Sequence, residues 1–136
     1  MSKYIYLFLI SFGFSTTLMI PDQYATIQEG INAASTSDTV LVSDGIYSGI
    51  GNVNLTWDAA YKHLTVMSEN GPENCIIDCS DENRGFYFNG SGQDSTDVIS
   101  GFTIENGFSS TSGGSVYIEN ANPQFSNIIV QNSYAS

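Results

Sequence analysis

The sequence predicts an all-β protein: a solenoid of stacked parallel strands with one short α-helix near its start. Three observations predict it. The first is a phrase repeated between Gly101 and Asn132: Gly101-Phe102-Thr103-Ile104-Glu105-Asn106, then Val116-Tyr117-Ile118-Glu119-Asn120, then Ile128-Ile129-Val130-Gln131-Asn132. Each copy sets apolar residues two apart, which puts them on one face of an extended chain. The second is the position of the closing Asn, which always follows its strand. An antiparallel meander would scatter that polar mark to alternating sheet edges; parallel stacking gathers it at one edge, as a ladder of Asn106, Asn120 and Asn132. In that reading the ladder amides sit in the inward register and satisfy one another, because each donates and accepts. Asn also tolerates the left-handed backbone of a sharp corner. The closing residues recur after about 14 and then about 12 residues, so two phrases make one coil of the 20–30 residues usual for a solenoid. The third is composition. The 136-residue chain has 41% hydrophobic but only 12% charged residues, which suits short strands and many turns better than a helical bundle.

The elements follow in order. Met1 to about Met19 has Lys3 at its front and the apolar run Tyr4–Ile10 ending near Phe14. A core of about ten apolar residues is the size of a signal-peptide centre and too short to span a bilayer. Residues 1–19 are therefore predicted to be a signal peptide, with an uncleaved anchor as the rival, and residues 20–136 the coils. Ser15-Thr16-Thr17 supplies small residues for cleavage without an Ala-x-Ala site. Thr26 with Glu29 has capping-box spacing, and Ile27, Ile31 and Ala34 share one helical face, so a helix is predicted over 26–35. Strands are predicted at Thr39–Val42, His63–Met67, Cys75–Asp78 and Gly85–Phe88, with a Gly/Ser-rich loop over Asn89–Asp97. No later stretch is long and apolar enough to span a membrane.

Tyr24-Ala25-Thr26-Ile27-Gln28-Glu29-Gly30-Ile31-Asn32-Ala33-Ala34, Asp38-Thr39-Val40-Leu41-Val42, Gly45-Ile46-Tyr47, Asn74-Cys75-Ile76-Ile77-Asp78, Gly101-Phe102-Thr103-Ile104 and Gly113-Gly114-Ser115-Val116-Tyr117 together resemble right-handed parallel β-helix proteins of the pectin-lyase-like superfamily. The resemblance covers most of Pro21–Ser136. It implies a right-handed coil whose first turn is capped by the helix, and it implies little about activity, because that superfamily holds lyases, esterases, glycosidases, adhesins and surface proteins. In the resembling family another Gly-Gly strand would follow Ser136, so the expectation is a domain incomplete at its C-terminus, the N-terminal part of a longer protein. An amphipathic helix laid over the first coil also makes physical sense, since it hides an otherwise open apolar end.

Charge narrows the partners. Fourteen acids against three bases give a net charge of −11. Nucleic-acid binding is excluded on that ground, because phosphate contacts need a basic face. An acidic polysaccharide would be repelled by the field unless a divalent cation bridged the two.

The candidate site residues are few. Asp78, Asp81 and Glu82 crowd one corner beside Arg84, either as a calcium site, which hard oxygen ligands favour, or as a solvated acidic turn with a local Arg pair. Calcium-bridged substrate binding is what the resemblance to pectate lyases implies there. Asp94 and Asp97 carry the same two readings. Tyr117 and Tyr134 are predicted to face outward, where a ring can stack on a sugar. Cys75 and Cys79 would be about 13 Å apart on one straight strand, beyond disulfide reach; a bridge needs a turn between them, and two buried thiols need none. No zinc-type Cys or His spacing is present. Gln93-Asp94 is similar to part of the pectin methylesterase set but lacks a following Arg. Lys62 and Arg84 are the only candidates for a lyase base, and no complete catalytic set is visible. The expected function is an exported, non-catalytic, adhesin-like surface scaffold contacting glycans or envelope components. The alternative is the N-terminal part of a polysaccharide lyase or esterase whose active residues lie past residue 136.

Overall fold

A computed structural model describes residues 13–136 of the chain; most of the predicted leader lies outside the described residues. Among the described residues, short β-branched and aromatic runs, punctuated by Gly and Asn, give thirteen strands of two to four residues and one helix. Every strand pairing is parallel, and strands of successive coils stack into a β-solenoid of five turns. The first turn holds β1 (Thr17–Ile20) and α1 (Ile27–Ala33); the second holds β2 (Thr39–Val42) and β3 (Gly45–Ser48). The third is β4 (Thr65–Ser68), β5 (Cys75–Asp78) and β6 (Phe86–Asn89). The fourth is β7 (Val98–Ser100), β8 (Thr103–Glu105), β9 (Phe108–Ser109) and β10 (Val116–Glu119); the fifth is β11 (Gln124–Ser126), β12 (Ile129–Gln131) and β13 (Tyr134–Ala135).

One sheet runs β1-β2-β4-β7-β11 and a second β12-β8-β5-β3, while β6 pairs β10 and β9 pairs β13. Register stacks like on like. Val40, Val66, Ile99 and Phe125 form one interior column, and Tyr47, Ile77, Ile104 and Val130 form another. A third side is filled by Leu55, Phe86 and Val116. Phe86 sits at the centre of an aromatic group, 6.2 Å from the rings of Phe88 and Phe102 and 5.9 Å from Phe125. Fully burying a side chain of this size stabilises the fold by about 1.5–3 kcal/mol, so these columns are the main source of cohesion. The interior thins over the last two turns, where Ile118 of the fourth is 44% and Val130 of the fifth 54% exposed.

The cap helix forms as its sequence dictates, over Ile27–Ala33 rather than the full 26–35. Thr26 accepts from the Glu29 amide and Glu29 accepts from the Thr26 amide, closing the capping box. Ile27 and Ile31 are fully buried while Glu29 and Asn32 face solvent. Gly30 lets the helix approach the sheet: a Cβ there would lie 2.6 Å from Ile20 Cδ1. The C-terminal carbonyls, orphaned by helix geometry, are covered by a residue from the next turn. The Lys62 ammonium donates to Ile31 O, Asn32 O and Ala34 O.

Strand β1 begins at Thr17 and so takes in residues that the sequence reading assigned to the leader. Leu18 and Ile20 pack into the first turn, and Thr16 and Ser15 bond to Asp38 and Ser37. Leader removal after Ser15 would leave this strand whole.

Candidate functional site

The alternation of β6 and β10 builds a stacked tyrosine step on the outer surface. Phe86 and Phe88 point inward, so Tyr87 between them points out; Val116 and Ile118 flank Tyr117 in the same way. Parallel register places Tyr117 directly over Tyr87. Their rings stack with centroids 5.1 Å apart and planes 20° from parallel.

Arg84 lies against both rings, its guanidinium carbon 5.3 Å from the Tyr87 centroid and 5.4 Å from that of Tyr117. Its place is fixed from several sides. Nε donates to Gly113 O at 2.7 Å, and Nη2 donates to Ser112 O at 2.8 Å and to Ser109 Oγ. The Arg84 amide donates to Asn54 Oδ1 at 3.0 Å. A cation held beside aromatic faces is worth about 0.5–2 kcal/mol, and here it also keeps the two rings upright.

The rim of the step is polar. Tyr117 OH donates to Glu119 Oε2 at 2.9 Å, which raises the phenol above its ordinary pKa. Asn89 Nδ2 donates to Tyr87 OH at 3.1 Å. Asn89 and Glu119 are themselves in register. Because the two rings stack on each other, the pair offers a sugar its outward ring edges, bordered by an amide, a carboxylate, two phenols and a guanidinium that can bond its hydroxyls.

The acidic corner is elsewhere. Asp78 Oδ1 accepts from the Ser80 amide and from Asn106 Nδ2, at 2.9 and 3.0 Å. Asp81 and Glu82 are exposed, and Arg84 turns away from all three toward Ser109, Ser112 and Gly113. Among the described residues these carboxylates are not part of a converging group of three. Among the described residues the one convergent set of three metal-ligating side chains is His63, Asp94 and Asp97, whose ligand atoms lie within 4.8 Å of one another.

The Asn corners carry a correction. Asn106, Asn120 and Asn132 adopt left-handed backbone, with φ of 54°, 51° and 52°. That conformation breaks the strand alternation and swings the side chain off the interior, leaving Asn106 half-buried and the other two exposed. The amide of Asn106 bonds to Asp78 of the preceding turn and makes no side-chain bond to Asn132. An amide-to-amide rung occurs at a place the repeat did not mark, where Asn54 Nδ2 donates to Asn83 Oδ1 at 2.9 Å.

Other candidates take structural posts. Cys75 and Cys79 are buried free thiols, both pushed up to about 12 by loss of hydration; the straight strand β5 between them keeps them apart. Gln93 is buried, donating to Trp57 O and accepting from Ser91 Oγ. Lys62 is committed to the cap helix, and burial lowers its pKa. Tyr134 of β13 rests against its register partner Phe108 of β9, 5.0 Å between centroids.

Two partners escaped the sequence reading. Tyr87 was legible in principle, because Phe86-Tyr87-Phe88-Asn89 is an earlier copy of the phrase at Val116. His63 is the other: Asp97 was already a candidate carboxylate, but its pairing with His63, 34 residues away, carries no local signal. The His63 ring bonds to Asp97 Oδ2 through Nδ1 at 2.8 Å, and that bond raises its pKa, burial acting the other way.

Comparison with family models, characterised proteins and solved structures returns no match. The site must be read from its own geometry.

Proposed function

We propose that this chain belongs to an exported surface scaffold, a right-handed β-solenoid of the pectin-lyase-like kind, that holds glycans on the outer face of β6 and β10 without transforming them. The observation that carries the reading is the Tyr87–Tyr117 step braced by Arg84. Ring edges and phenol hydroxyls recurring outward at the strand repeat suit successive sugars laid along the solenoid axis. Rim groups with both donors and acceptors suit sugar hydroxyls. Export is supported by the apolar stretch after Lys3. Among the described residues no helix is long and apolar enough to cross a membrane.

The test is a titration of the full chain with neutral and acidic oligosaccharides, followed by calorimetry and by the ring signals of the tyrosines. Saturable binding is expected, weakened about 5–10-fold by Tyr117→Ala, the scale of one aromatic contact. Binding that is absent across the oligosaccharides, or indifferent to both Tyr87→Ala and Tyr117→Ala, overturns the site. A parallel assay with polygalacturonate and methylated pectin, calcium added, separates scaffold from enzyme. Turnover above a buffer blank that disappears in Arg84→Ala overturns the non-catalytic reading.

A further inference from the structure

We propose that His63, Asp94 and Asp97 form a binding site for one first-row divalent transition-metal ion of the zinc type. The site lies on the approach to β4 and β7, apart from the tyrosine step. Three observations carry it.

The first is convergence. His63 Nδ1 is 2.8 Å from Asp97 Oδ2 and 3.7 Å from Asp94 Oδ1. Ligand atoms bound to one ion at about 2.0–2.2 Å stand roughly 3–3.5 Å apart, so small side-chain movements complete the set.

The second is a buried carboxylate that is hydrogen-bonded but has no permanent cation beside it. Asp97 is fully buried; its Oδ2 accepts from the Asp94 amide at 3.1 Å, and among the described residues its one ion-pair partner is His63, a group that is charged only when protonated. Buried carboxylates are otherwise paired with a cation or bound to a metal. Lys62, next in sequence, is spent on the helix carbonyls.

The third is orientation. The opposite oxygen of Asp97 accepts from Trp57 Nε1 at 2.9 Å and from the Leu64 amide at 3.0 Å. Asp94 is held through Oδ1 by the amide and hydroxyl of Thr96, at 2.8 and 2.7 Å. Outer bonds of this kind fix ligands before the ion arrives. The ion takes the place of the proton between Nδ1 and Asp97 Oδ2, and Nε2 becomes the protonated ring nitrogen. One imidazole nitrogen with two carboxylates selects zinc, manganese or their neighbours over calcium, which prefers an all-oxygen shell. Asp94 and His63 are partly open to solvent, 58% and 35% exposed at the side chain, leaving room for water ligands and a route in.

The experiment uses the untagged full chain, stripped with chelator, and titrates it with zinc, manganese, calcium or magnesium chloride alone. One zinc per chain is expected, with a rise in melting temperature and a shift of the His63 ring signals. Asp94→Asn, an exposed change that leaves the fold intact by circular dichroism, should weaken zinc by at least about tenfold. Trp57→Phe, which removes the outer bond to Asp97 together with part of a buried ring packed on Phe88, should weaken it by about 10-fold in a chain that circular dichroism shows to be folded. Absence of saturable 1:1 zinc binding overturns the site, as does binding untouched by both Asp94→Asn and His63→Gln. Calcium binding tighter than zinc overturns the assignment to a transition metal.

Discussion

Asp38 shows how one side chain joins three segments. Its carboxylate accepts from the Thr16 amide at 2.8 Å, before β1, and from the Ser35 amide at 2.8 Å, after α1, while its own backbone leads into β2. Those bonds, the Thr16 amide foremost, hold its pKa below the ordinary 3.8, and the nearby Lys62 charge adds to them. Because the folded value is depressed, the stabilisation is complete above the unfolded value and lost as pH falls toward the folded one. The melting temperature should therefore decline below about pH 4 in the parent chain. Asp38→Asn keeps the shape but faces an amide nitrogen toward one of the donors, costing about 1–3 kcal/mol near neutrality. Thermal melts from neutral to acidic pH check both points, and the gap between the two proteins should close as acid protonates the parent. Parallel curves with a constant gap would show that Asp38 does not carry this acid sensitivity.

At the scale of the element, α1 is held by what it covers and by what caps it. Ile31→Asp would place an unpaired charge over Ile20 and Val40, at a cost on the order of 3 kcal/mol or more. Lys62→Met would keep the stem but leave three carbonyls without their donor, for about 1–3 kcal/mol. Both should appear as lower denaturation midpoints in urea, with Ile31→Asp the larger; an Ile31→Asp protein that unfolds like its parent would remove the helix from the cap. The two residues also show what a sequence makes legible. The capping box and the Ile27/Ile31 face lie within one helical stretch, and β5 has the same bounds in sequence and structure, because local spacing decides them. Lys62 reaches back 28–31 residues to its carbonyls, and Asp97 gathers Trp57 and His63 from 40 and 34 residues away. Such bonds exist only once coils stack, and the coil length is uneven: Leu64 meets Asp97 across 33 residues while Ser100 meets Ser126 across 26. Strand β1 was hidden for a different reason. Its apolar residues continue the leader's apolar run, and only pairing with β2 makes them a strand.

For the whole molecule, a solenoid is close to one-dimensional: each turn contacts chiefly its neighbours, so stability is nearly a sum of turn and interface contributions. The two ends of the described fold differ in that sum. At the first turn α1 covers Ile20 and Val40, and both are fully buried. At the fifth, Ile129 and Tyr134 are exposed along with Val130, and β11, β12 and β13 each have a neighbour on one side alone. Opening that turn exposes little further apolar surface and breaks one interface, whereas opening β5 or β8 breaks two and uncovers Ile77 or Ile104. Native-state hydrogen exchange on the 136-residue chain should therefore be graded along the axis. Amides of β5 and β8 should exchange slowest, those of β1 and β2 should stay close to them because the helix shields that end, and those of β12 and β13 should exchange fastest. Phe86→Ala, which removes the ring shared by the third, fourth and fifth turns, should cost about 3–5 kcal/mol and speed exchange in β8 and β11 more than in β1. Exchange at one common rate from β1 to β13 would mean that the turns open together, and the additive picture of this solenoid would be wrong.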